Sequence, residues 1–124
     1  MNGPLIDLDT LRKIDLYLEE LYPESVKSGQ KLTILPTAQI RNLENIVNSA
    51  TRFSEVKNFI KNQAGKDTKN KWKSIAKDIL DQLDSIEKKA KEMGMDDPGR
   101  ILDIKMRLVR GWARQVVTHY LYKK

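Results

Sequence analysis

A chain of 124 residues has the length of one domain. With 40% hydrophobic and 32% charged residues, it can bury a core and still keep wide solvated faces. The lack of cysteine excludes disulfides and thiolate metal sites, and no apolar run approaches the ~20 residues that span a bilayer.

The formal charge of +6 is unevenly spread. Residues 1–24 hold six acids (Asp7, Asp9, Asp15, Glu19, Glu20, Glu24) against Arg12 and Lys13, a net of −4, so the remaining hundred residues carry +10. A basic body behind an acidic first helix points to a polyanionic partner, with solubility as the alternative use of the charge. The opening MNGPLIDLD has no basic stretch followed by an apolar one, so no signal peptide is read and the cytoplasm is the expected location.

Apolar spacing predicts a first helix over 7–22, with Leu8, Leu11, Ile14, Leu18 and Leu21 on one face and Pro23 ending it. PESVKSGQK (23–31) has no apolar period and reads as a loop. LTIL (32–35) is short and β-branched and reads as extended. A second helix opens with Thr37 as N-cap after Pro36, with Ile40, Leu43, Val47 and Ala50 inward. An unbroken continuation would turn Phe59 outward, so a break is expected near Ser54. Ser54 would then cap a short helix 55–64 built on Val56, Phe59 and Ile60 and closed by Gly65.

The third long helix is expected from Thr68 to Met93, with Trp72, Ile75, Ile79, Leu83, Ile86 and Ala90 inward and Gly94 as its stop. In the last, Asp97 caps, Pro98 takes the first helical position and the helix runs to about Tyr122. Gly111, in mid-helix, marks a close approach. No strand pattern competes. The expectation is a single all-α domain over 1–124, a bundle of four to five helices with a short extended segment before the second.

Three basic groups stand out. Arg41, Asn45, Asn48 and Arg52 follow i, i+4, i+7, i+11, opposite Leu43, Val47 and Ala50, with no carboxylate among them. Arginine forks onto phosphate oxygens, and asparagine bonds phosphate, ribose or base edge. Arg107, Arg110 and Arg114 form a second row, and no acid follows Asp103. Lys57, Lys61, Lys66, Lys69, Lys71 and Lys73 crowd one segment against Asp67 alone, a composition suited to gripping a sugar-phosphate backbone. For each group the alternative is a solvated helix face.

RQVVTH (Arg114 to His119) matches the R-x4-H pattern of the all-helical HEPN ribonucleases, in which His is acid/base and Arg supports the phosphate. On an ideal helix the two side chains diverge, and His119 falls beside Trp112 and Val116, where a packed, hydrogen-bonded histidine is the competing reading. No other catalytic constellation, metal spacing or cofactor motif is present in the sequence, and no catalytic residue, metal or cofactor is expected.

LPTAQIRNLENIVN (35–48) resembles the start of the main helix in the small subunits of type III CRISPR effector complexes, with its lead-in, Thr cap, Gln, aliphatic residue and Arg. RQVVTHYLYKK is similar to that family's last helix, and Gly99–Arg100 looks like its Gly-Arg pair. Arg114, Thr118 and His119 depart from the family's usual acid, Ala and Tyr, and the acidic helix 7–22 has no assigned counterpart. The resemblance implies a non-catalytic, all-helical subunit that contacts guide RNA and target RNA and touches other effector subunits, with identical copies stacking. Arg41 is the contact residue it carries over. A HEPN-type ribonuclease or toxin and a helical protein-interaction adaptor remain the alternatives.

Overall fold

The computed structural model describes residues 6–66 and 71–124. The chain forms an all-α bundle of five helices: α1 (Leu8–Lys31), α2 (Thr37–Ser49), α3 (Phe53–Lys66), α4 (Lys73–Gly94) and α5 (Pro98–Lys123). A single 3₁₀ turn, Leu32–Ile34, joins α1 to α2. Among the described residues there is no strand, and no helix is long and apolar enough to cross a membrane.

The central element is α5, which packs most extensively on α1 and then on α4 and α2. Ile104, Leu108, Val109, Trp112, Val116 and Tyr120 are fully buried along it. α1 lies parallel to α5: Thr10 meets Arg100, the Leu18 carbonyl accepts from Gln115, and the Thr33 carbonyl accepts from Lys124. α2 runs antiparallel, with Thr37 at Tyr120 and the Ala50 carbonyl at Arg110. α4 also runs antiparallel, with Glu87 paired to Lys105 and Gln82 to Trp112. The inward residues expected of α2 and α4 are all buried.

The first helix does not stop at Pro23. It continues for eight more residues, to Lys31. An interior proline removes a helix hydrogen bond and crowds the preceding turn, a cost of about 3 kcal/mol. Packing against α5 offsets it. Ser25, Ser28 and Gly29 are buried, and Leu32 follows just beyond the helix end. Their spacing is helical, but the residues are small and polar, so an apolar period cannot reveal them. Gly29 admits the closest approach: a Cβ there would lie 2.5 Å from the Val116 carbonyl oxygen and 2.9 Å from the Tyr120 nitrogen.

Other boundaries shift for local reasons. LTIL is a 3₁₀ turn and not an extended segment, closed by the Leu35 N–H on the Leu32 carbonyl. Pro36 holds the N-cap position of α2, and Thr37 is its first residue, its hydroxyl 3.3 Å from that of Tyr120. The break after α2 falls at Ala50, so α3 already includes Phe53 and Ser54 and runs through Gly65. The expected start of the third long helix at Thr68 lies outside the described residues; α4 is helical from Lys73. Gly94 ends α4, but the left-handed residues are Met95 (φ 51°) and Asp96 (φ 68°). Gly94 is needed because a Cβ there would overlap Ile101 Cγ1. Asp97 caps α5 by accepting from the N–H groups of Gly99 and Arg100, and Gly111 admits Leu18, as the close-approach reading requires.

Candidate nucleic-acid interface

The row on α5 becomes one wall of a groove. Arg107, Arg110 and Arg114, with Asp103, face Leu11, Ile14, Asp15 and Leu18 of α1. The helix repeat of about 100° per residue puts the three arginines on one side of α5, and the burial of Leu108, Trp112 and Val116 on the other side turns the row outward. Arg107 pairs with Asp103 at 3.5 Å on the surface. Arg110 is half-buried, and one of its Nη groups donates to the Ala50 carbonyl at 3.3 Å, which ties α5 to the α2–α3 junction. Arg114 is exposed. Arg107 and Arg114 are therefore the members of the row open to an incoming anion, and Arg110 is partly committed to the fold.

The row Arg41–Asn45–Asn48–Arg52 is corrected in two ways. Arg52 is not on α2, which ends at Ser49. Nor is the row free of carboxylates: Arg41 donates to Glu44 at 2.8 Å and Arg52 to Glu55 at 3.1 Å. Each pair is spaced i, i+3 and exposed, a class that contributes little to stability and exchanges readily for another anion. Arg41, Asn45, Asn48 and Arg52 all face solvent.

The lysine-rich segment divides. Lys57 is taken up by α4, with its Nζ 2.6 Å from Asp84 and 3.4 Å from Glu87. The hydrogen bond to Asp84, with the charges of Glu87 and Asp84, holds its ammonium above the ordinary lysine range against the opposing effect of burial. It is a structural cation more than a free one, and its acids come from a distant stretch of sequence. Lys61 and Lys66 are exposed on α3. Lys69 lies outside the described residues.

The structure adds Lys105. It joins Arg52, Lys57, Lys61 and Asn58 around a second groove, with Glu87 between Lys57 and Lys105. Burial pushes the Glu87 carboxyl up, but the hydrogen bond from Lys105 and the charges of both lysines outweigh it and hold the group below its ordinary value. The acid-free stretch after Asp103 already contains Lys105; only the fold places it beside α3.

Arg114 and His119 are not brought to a common site. Arg114 lines the α1–α5 groove, whereas His119 Nε2 lies 2.8 Å from the Tyr22 hydroxyl, the two rings packed edge to face with centroids 5.3 Å apart. Among the described residues no group of three or more His, Asp or Glu converges as a metal site. Comparison of the chain with protein-family models, with curated proteins and with solved structures returns no match.

Proposed function

We propose that this chain is a non-catalytic RNA-binding subunit of a ribonucleoprotein, of the type represented by the small subunits of type III CRISPR effector complexes. The observation that carries RNA binding is the α5 row, with Arg107 and Arg114 exposed on the helix that every other helix packs around. A rigid helix presenting guanidinium groups outward binds a sugar-phosphate backbone by charge and shape, with little sequence preference. The assignment to effector complexes rests on the residue resemblance of 35–48 and 114–124. Its partners in this reading are guide RNA, target RNA, the other effector subunits and further copies of the chain, in the cytoplasm. The separate surroundings of Arg114 and His119 favour this reading over a HEPN-type nuclease.

The test is fluorescence anisotropy with labelled RNA at two salt concentrations. Affinity should fall as salt rises, with a log–log slope of about −0.7 to −0.9 per phosphate neutralised. Affinity that is absent at low salt, or indifferent to salt, removes the polyanion reading and leaves a helical protein adaptor. Co-purification with effector subunits and their guide RNA tests the assembly.

A further inference from the structure

The outer side of α5 carries more than arginine. Taking Arg107 as the reference and about 100° per residue, Arg110, Arg114, Thr118, Leu121 and Tyr122 follow within about 60° of it on either side, after Asp103, whose carboxylate lies on the same arc and pairs with Arg107. This arc extends ~22 Å along the helix axis. Tyr122 is 89% exposed, the most open large hydrophobic side chain among the described residues.

The helix end that presents Tyr122 is pinned. Lys124 Nζ donates to the carbonyls of Thr33 at 2.8 Å and Leu35 at 3.1 Å, and it also lies over the Tyr120 ring. The Tyr120 hydroxyl donates to the Leu35 carbonyl at 2.7 Å. The last turn is thus fixed on both sides of Tyr122, while its ring is left open to solvent. A rigid exposed aromatic at the end of the same helix side as open cations suits unpaired nucleotides, because every base offers a face for stacking.

We infer that the outer arc of α5 is a track for single-stranded RNA, in which Arg107 and Arg114 hold phosphates and the Tyr122 ring stacks on an unpaired base. This rests on the RNA-binding reading above and adds to it the strand state of the ligand and the stacking residue. A base inside a duplex is already stacked on both faces and offers no ring to Tyr122, so the arc favours unpaired RNA over a helix with the same number of phosphates.

The test uses the full chain and three probes of about twelve nucleotides: oligoadenylate, an abasic oligonucleotide with the same backbone, and duplex RNA. Tyr122→Ala is expected to weaken oligoadenylate binding by about 5- to 150-fold, the range that loss of one stacked base gives. It should leave the abasic and duplex probes unchanged. Tyr122→Phe, which keeps the ring, should stay within about twofold of the parent. Arg114→Glu should weaken all three probes. Equal affinity of Tyr122→Ala and parent for oligoadenylate overturns the stacking assignment while leaving RNA binding intact, and so does an equal loss on the abasic probe. Failure of the parent chain to bind any probe at low salt removes the underlying reading itself.

Discussion

The Trp112 indole N–H donates to the Gln82 side-chain carbonyl at 2.7 Å. The amide of the same glutamine donates to the Ser28 hydroxyl. One side chain on α4 thereby ties a fully buried tryptophan of α5 to the small-residue face of α1. Replacing Gln82 by Leu leaves the indole donor without its acceptor, which should lower unfolding free energy by about 1–3 kcal/mol. In Trp112→Phe the donor is gone, so adding Gln82→Leu to that background should cost less than in the parent. Urea denaturation of the four proteins measures the coupling; strict additivity would mean the bond contributes nothing.

Two glycines should respond in opposite directions to alanine. At Gly29 the new Cβ meets backbone atoms of α5 that cannot swing away, so Gly29→Ala should destabilise by about 1–3 kcal/mol. At Gly65 nothing lies within 4 Å, so Gly65→Ala should stabilise by about 0.5–1 kcal/mol through helix propensity and reduced freedom of the unfolded chain. Thermal melts of the two variants decide both signs.

The basic rows can be separated by paired charge reversals. Arg107→Glu with Arg114→Glu should weaken RNA binding most, since both residues lie in the α5 groove. Arg41→Glu with Arg52→Glu should weaken it by more than Lys88→Glu with Lys91→Glu, which carry the same charge change on exposed positions of α4. The Arg41/Arg52 pair now sets like charges beside Glu44 and Glu55, so a loss of about 0.5–1 kcal/mol of stability is also expected. Equal binding losses in all three pairs would point to diffuse charge with no special row.

Acid should weaken the fold partly through Glu87. Its folded value is depressed below the ordinary 4.5, so the ionised form is favoured by folding. That stabilisation is fully present above the ordinary value and is lost as pH falls through the folded one. Glu87→Gln should lower stability at neutral pH and flatten the acid side of the stability profile. An unchanged profile would show that Lys57 and Lys105 gain nothing from this carboxylate.

Labelled RNA incubated with the purified chain should remain intact. His119→Ala should leave RNA binding unchanged and loosen only the α1–α5 contact through Tyr22. Cleavage that disappears in both Arg114→Ala and His119→Ala would favour the nuclease reading.

The helical class and most of the core were legible in the chain alone. The long apolar stripes of α2, α4 and α5 repeat at helical spacing, and burial against neighbours is what such a stripe requires. Asp97 and Pro98 marked the start of α5 because a cap and a preset φ act locally. The second half of α1 was not legible, since its contact face is Ser25, Ser28 and Gly29. Those residues become a packing surface only when α5 lies against them, and that packing carries the helix through Pro23. The three arginines of α5 could be placed on one face from spacing alone. Which cations stay open to a ligand was decided by tertiary structure. Asp84 and Glu87 capture Lys57 from far along the chain, and the Ala50 carbonyl captures Arg110, because charge and hydrogen bonding act through space and not along the sequence.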